Sequence, residues 1–293
     1  MALKPIEAEE LVSGAYFHRV DVSNSALPKG QLTGLKLESS HMYDVWLRWV
    51  TLRGCEIKYS LLERVNLRNA DLQSVDFTGT TFVECDLSQA KIECCRLWYV
   101  RFERCRLNYE SVLGNLPEED NLQTQVLRAL RVNAANEGDT KTANNLLLRE
   151  LDSERRNLYH CFSHTSKYYE NRYKGKKRVW AFVLWLGHWF QRLGWGYGLR
   201  LLNLSVSVAS LVLVMSLFVY WSQTPYNIGG NNVPRALNFG EALYITIITF
   251  CTVGFGDLTP AASVGRFMAG LTAVCGVVAW GFFVAAIYRR LAK

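Results

Sequence analysis

Residues 252–257 read Thr-Val-Gly-Phe-Gly-Asp, and this run holds the clearest chemistry in the chain. Gly254 and Gly256 can enter backbone conformations closed to other residues, so successive carbonyls can turn toward one axis. A cage of carbonyl oxygens replaces the water of a dehydrated monovalent cation without the desolvation and tight binding that full charges bring. Thr252 and Asp257 flank the two glycines and carry the side-chain oxygens of the run. No His, Asp, Glu or Cys cluster stands in a catalytic arrangement, so an enzyme is not expected, nor a cofactor beyond a permeant ion.

Such a run needs a rigid mount. Asn238 can cap a helix whose third residue is Glu241, a capping-box start, and that helix is predicted over 239–251. The stretch from Asn238 to Pro260 is too short to cross a bilayer and return, so it dips in and out between two longer apolar segments. These are 201–221, which carries no charge, and 266–288, and each is long enough to span about 30 Å of hydrocarbon. Lys174, Lys176, Lys177, Arg178, Arg192 and Arg200 precede the first; Arg289, Arg290 and Lys293 follow the second. The positive-inside rule therefore puts both termini in the cytoplasm and 222–263 outside a cell membrane. Arginines at three-residue intervals are missing from both spans, so voltage sensing of the four-helix type is not expected. Few residues follow the second span, so cytosolic control is expected to enter from the N-terminal side.

The basic cluster at 174–178 runs into VWAFVLWLGHWF, which has three tryptophans in about twelve residues and is too short to span. Residues 173–200 read as a helix lying in the membrane interface, with His188 an interfacial polar residue. Upstream, 113–172 reads as a helical hairpin. Its first helix follows Pro117 and uses Leu122, Val126, Leu127 and Leu130; a turn falls at Asn136–Asp139. The second helix uses Ala143, Leu146, Leu147, Leu151 and Leu158.

The first hundred residues are a repeat. From Phe17 to Leu107 an apolar residue stands at every fifth position, nineteen times running, a pattern with a chance probability below roughly one in 10⁵. A second column two residues earlier is mostly small and includes Cys55, Cys85, Cys95 and Cys105. One large and one small inward residue per five suits a square cross-section. The cysteines therefore read as packing thiols and not as disulfides or metal ligands, in keeping with an acidic N-terminus, 1–12, that has no signal-peptide run. Net charge is −2 over 1–12, +1 over 13–112, +3 over 113–178 and +5 over 179–293, so the basic excess sits on the most apolar segment. That distribution argues against nucleic acid as a partner.

The period, with stretches such as Ala70–Ser74 (ADLQS) and Val65–Asn69 (VNLRN), resembles the pentapeptide-repeat family. That resemblance implies a right-handed quadrilateral β-helix over 13–112 with about twenty residues per coil, so that Phe82 stacks on Phe102 and Leu47, Leu67 and Leu87 form one file. Thr252–Asp257 between two spans resembles the selectivity filter of two-transmembrane potassium channels of the prokaryotic ion-channel family, over 201–290. The whole is then a mixed fold: a cytosolic β-helix, a helical linker, and an all-α pore domain with a re-entrant pore helix.

The channel resemblance implies a homotetramer in the lipid bilayer, with K⁺ held by carbonyls of Thr252, Val253, Gly254 and Phe255 and by the Thr252 hydroxyl, and Gly256 completing the filter. Asp257, Ile248 and Glu241 are its expected supports. Phe255 replaces the commoner tyrosine, and Ile248 stands where some relatives have glutamate, so a less restrained filter that admits some Na⁺ or inactivates is expected. Gly276 lies where related channels have a hinge; a packing glycine fits equally well. Val277, Trp280 and Val284 share a helical face as gate candidates. Two other readings are a weakly selective monovalent-cation channel, and a membrane-anchored interaction protein with a silent pore. In each, the repeat or the hairpin engages an unidentified cytosolic ligand or protein.

Overall fold

The five-residue period folds into four flat sides joined by tight corners. The computed structural model describes residues 3–27, 30–163, 167–198, 201–229 and 231–291, in two compact units, 1–185 and 186–293. In the first unit, strands of two to four residues pair in parallel with the strand twenty positions on, as in Asp71↔Lys91, Thr81↔Arg101 and Lys36↔Glu56. One side has six strands, Lys4–Ile6, Val20–Ser23, His41–Tyr43, Leu61–Glu63, Thr81–Val83 and Arg101–Glu103; another has four, from Gln31–Thr33 to Lys91–Glu93. The third, through Tyr16–His18, Lys36–Glu38 and Glu56–Lys58, is continued by single bridges to Asp76 and Arg96. The fourth joins Ala26, Trp46, Asn66 and Asp86 by bridges before the Asp86–Leu87 and Arg106–Leu107 pair.

The inward columns fill this solenoid of about five turns. Leu47, Leu67, Leu72, Phe77 and Leu87 are buried, and the rings of Phe82 and Phe102 stack with centroids 5.3 Å apart. Cys55, Cys85, Cys95 and Cys105 are free and buried in the small column, each thiol donating to a carbonyl 23 residues back, as Cys85 Sγ does to Leu62 O at 3.2 Å. Burial pushes the Cys95 thiol up to about 11, which leaves it an inert packing group. Cys94 is exposed at a corner. Among the described residues there is no group of three His, Cys, Asp or Glu that could hold a metal.

Within the segment 1–12, expected as a tail, Lys4–Ile6 joins the solenoid instead. Lys4–Ile6 extends the six-stranded side against Val20–Val22, because Ile6 and Leu11 have apolar surface to bury over the open first coil. At the other end, helix Tyr109–Leu113 and two asparagines close the last coil. Asn115 accepts from Cys95 N at 2.9 Å and donates to Ile92 O at 2.6 Å; Asn133, fully buried, accepts from Cys105 N and donates to Cys105 O, both at 2.7 Å. Each side chain presents the bonds that a next coil would have made, which blunts an open edge. Outside the core, Lys58 and Lys36 flank Glu56 and hold its carboxyl down at about 2.

The hairpin is present as helices Asp120–Asn136 and Thr140–Ser163. Leu122, Val126, Leu127 and Leu130 are buried as expected, but the second helix turns a different face inward. Leu146, Glu150 and Ser153 are buried, whereas Leu147, Leu151 and Leu158 are only half-buried. Glu150 can occupy a core position because Arg128 Nε and Arg131 Nε bind its two oxygens at 2.7 and 2.6 Å, supplying the partners that a buried carboxylate requires. Helix Lys176–Trp195 follows; its apolar side chains Trp180, Phe190 and Leu193 are 63%, 74% and 65% exposed. Arg200 and Lys293, two of the cations flanking the spans, lie outside the described residues.

The second unit holds helices Leu201–Trp221 and Ser263–Leu291, whose segments Leu202–Trp221 and Ser263–Tyr288 are long and apolar enough to cross a membrane. Helix Phe239–Phe250 packs against both. Between the first long helix and this short one, strands Pro225–Ile228 and Asn231–Ala236 form a hairpin, and Leu258–Pro260 adds to it as a third antiparallel strand.

Candidate functional site

The short helix Phe239–Phe250 sets the position of everything after it. Asn238 caps it as expected: its Oδ1 accepts from Glu241 N at 2.8 Å and Glu241 Oε2 accepts from Asn238 N at 3.0 Å. Glu241 also takes both guanidinium nitrogens of Arg235, so the hairpin strand Asn231–Ala236 is pinned to the helix start. Expected as a filter support, Glu241 thus stands at the end of the helix far from residues 252–257. The other end stops at Cys251, and its terminal carbonyls carry the partial negative charge of the helix dipole.

Beyond Cys251 the backbone alternates. Thr252, Gly254 and Gly256 lie in the left-handed region with φ of 57°, 51° and 77°, whereas Val253 and Phe255 do not. Such alternation turns successive peptide planes so that their carbonyls share one side and their N–H groups the other. Left-handed φ costs a β-branched residue such as Thr252 about 1–3 kcal/mol. The N–H groups of Val253 and Gly254 both donate to Ile248 O, at 2.9 and 3.3 Å, which holds the turn against the helix end. Ile248 therefore contributes its carbonyl, and its side chain is buried. Thr252 Oγ1 donates to Cys251 O at 2.7 Å. Residues 252–257 are all exposed in the single chain, Val253 by 53% and Phe255 by 70%.

The exit of the run is tied down by residues that sequence reasoning missed. Tyr244 OH, one helical turn before Ile248, donates to Asp257 Oδ2 at 2.9 Å. Gly229 N donates to Asp257 O at 2.9 Å, and Leu258–Pro260 pairs with Tyr226–Ile228. Tyr226 is fully buried. The visible signal was a tyrosine, an aspartate thirteen residues on, and a Gly-Gly-Asn-Asn turn sequence at 229–232; none of these has a local period that sets it apart.

The second long helix approaches from behind. At Gly276 a Cβ would stand 1.9 Å from Phe250 O and 2.8 Å from Phe250 C, so the two backbones touch where the short helix ends. Val277, Trp280 and Val284, the gate candidates, are exposed by 60%, 53% and 63% in the single chain. Trp280 also lines a cavity of about 310 Å³ with Val208, Val212, Phe250, Cys251 and Phe283.

The comparisons with known proteins divide along the same lines. Residues 207–293 match a family model described as an ion channel, and residues 47–82 and 70–108 match pentapeptide repeats, in eight copies. A small conductance calcium-activated potassium channel-like protein 3 of Caenorhabditis elegans is 33% identical over 66 residues, 22% of this chain and 9% of that protein. Two-pore potassium channel 2 of Arabidopsis thaliana is 32% identical over 66 residues, 22% of this chain and 14% of that protein. The chain thus matches a small part of the length of these relatives. A pentapeptide repeat protein from the cyanobacterium Cyanothece is 17% identical over 32% of this chain and 80% of that one, with a TM-score of 0.17. Residues 47–108 are pentapeptide repeats and residues 207–293 an ion-channel domain, joined in one polypeptide.

Proposed function

We propose that four copies of this chain assemble around one axis as a potassium-selective channel, with the solenoid as a cytosolic scaffold or regulator acting through the hairpin and the helix at 176–195. The observation that carries this reading is the left-handed alternation at Thr252, Gly254 and Gly256, mounted on a capped helix between two spans. One chain supplies one strip of carbonyls, and a dehydrated cation needs a closed cage, so the ion site is complete only when copies converge. K⁺ is then held by the carbonyls of Thr252, Val253, Gly254 and Phe255, with Gly256 allowing the last turn. The relatives named as potassium channels favour K⁺ as the ion. Val277, Trp280 and Val284 line the conduction path below, and both termini lie in the cytoplasm.

A weakly selective cation channel is the second reading. Phe255 favours it by removing a phenol hydrogen bond, and the Tyr244–Asp257 bond opposes it by holding the exit. The test is purified full-length protein in liposomes, with the assembly mass measured in the same preparation. Tetramers that release K⁺ down its gradient support the proposal; monomers, or tetramers without flux, overturn it.

A further inference from the structure

Many stacked surface charges of the solenoid meet a counter-charge, and one stacked pair of arginines does not. Because residues twenty apart stack, a charge on one coil meets its neighbour about 4.8 Å away. On the file Lys36–Glu56–Asp76–Arg96 the outer pairs are opposite in sign, Lys36–Glu56 at 2.9 Å and Arg96–Asp76 at 3.2 Å, and the stacked acids Glu56 and Asp76 share Lys58; on a corner file Arg64–Asp44 meet at 3.4 Å and Arg104–Glu84 at 2.9 Å. On the side carrying the ladder Ala26–Trp46–Asn66–Asp86, Arg48 stacks one coil below Arg68. Like charges directly opposite are destabilising. Both arginines are exposed, and among the described residues neither stands in an ion pair. Beside them Trp46 and Trp49 are 52% and 51% exposed. Farther along, Asp86 stands in register with Arg106, so the excess is local.

We propose that Trp46, Arg48, Trp49 and Arg68 form a docking face for the phosphate layer of an anionic bilayer. Two stacked guanidiniums offer forked donors to phosphate oxygens, which removes their mutual repulsion. Tryptophan beside arginine is the composition that favours a membrane interface. A parallel ladder is flat, which suits an extended surface better than a small molecule, whose sites are concave. The chain also carries two helices able to cross a membrane, so the tether keeps a bilayer at high effective concentration. The inference stands independently of conduction.

The test uses the full-length protein in nanodiscs of lipid brominated near the headgroup, either zwitterionic or half anionic. Trp46 and Trp49 are two of nine tryptophans, so docking adds a loss of up to about a fifth of total emission in the anionic discs. This added loss disappears in Trp46→Phe/Trp49→Phe, and in Arg48→Gln/Arg68→Gln with the tryptophans in place. In the wild type it reverses in about 1 M salt, where the Debye length falls to about 3 Å. Equal quenching in both lipids, or added quenching that survives the arginine changes or the salt, overturns the proposal. Loss of anionic-lipid quenching on adding an acidic polypeptide or nucleic acid that binds more tightly reassigns the face and also overturns it. The salt arm needs no variant, so misfolding of a variant leaves the inference testable.

Discussion

Replacing Gly276 by alanine separates two roles for that glycine. As a hinge it would bend within the second span; as a packing residue it admits the end of the short helix. The structure places its missing Cβ 1.9 Å from Phe250 O and 2.8 Å from Phe250 C, and Cβ atoms essentially never approach within 3.0 Å. Both contacts are backbone, so no rotamer change relieves them, and the helices must separate by more than an ångström. Overpacking of this kind costs about 1–3 kcal/mol. For a unit of about 100 residues, each kcal/mol lowers the melting temperature by about 4–8 °C. Phe250 is two residues before Thr252, and Ile248 O holds both Val253 and Gly254, so the shift reaches the carbonyl run. Gly276→Ala is therefore expected to melt several degrees lower and to lose ion discrimination, read by thermal unfolding of the purified protein and by ion-replacement recording. Wild-type melting and discrimination with a lowered open probability would refute the packing argument and restore the hinge.

Tyr244→Phe removes the bond to Asp257 at 2.9 Å; current in low external K⁺ should decay faster, and an unchanged decay would show that the tie does not restrain the exit. Asn133→Ala leaves the buried N–H and C=O of Cys105 without partners, at about 1–3 kcal/mol each, and should lower the melting point of the solenoid's circular dichroism signal. Glu56, held at about 2 against an ordinary 4.5, adds stability that is fully present above pH 4.5 and is lost as pH falls through 2. Glu56→Gln should flatten that part of the solenoid's acid-unfolding curve, and an identical curve would discount the pairing with Lys58 and Lys36.

The coil register could be read from the chain because its period is carried by buried residues, Leu47 to Leu67 to Leu87, which cannot slip without exposing a column. The corners could not. Only Gly14, Gly34, Gly54 and Gly79 mark left-handed positions, yet Trp49, Ser74, Cys94 and others share that conformation. Coil-to-coil backbone bonds such as Ser74 N to Glu93 O at 2.9 Å hold them there, a tertiary effect with no local signature. Glu150 was hidden for a related reason: a carboxylate reads as solvent-facing until two arginines from another helix reach it. The capping box at Asn238 and Glu241 was legible because its partners are three residues apart, whereas the exit tie from Tyr244 to Asp257 spans thirteen.

On the proposed function, copies of the Thr252–Asp257 run together strip and select K⁺. The most direct test is the reversal potential of purified, full-length tetramers in planar bilayers with K⁺ on one side and Na⁺ on the other. A potassium-selective run gives a current whose reversal follows the K⁺ gradient. A reversal at zero, or no current from intact tetramers, would contradict it.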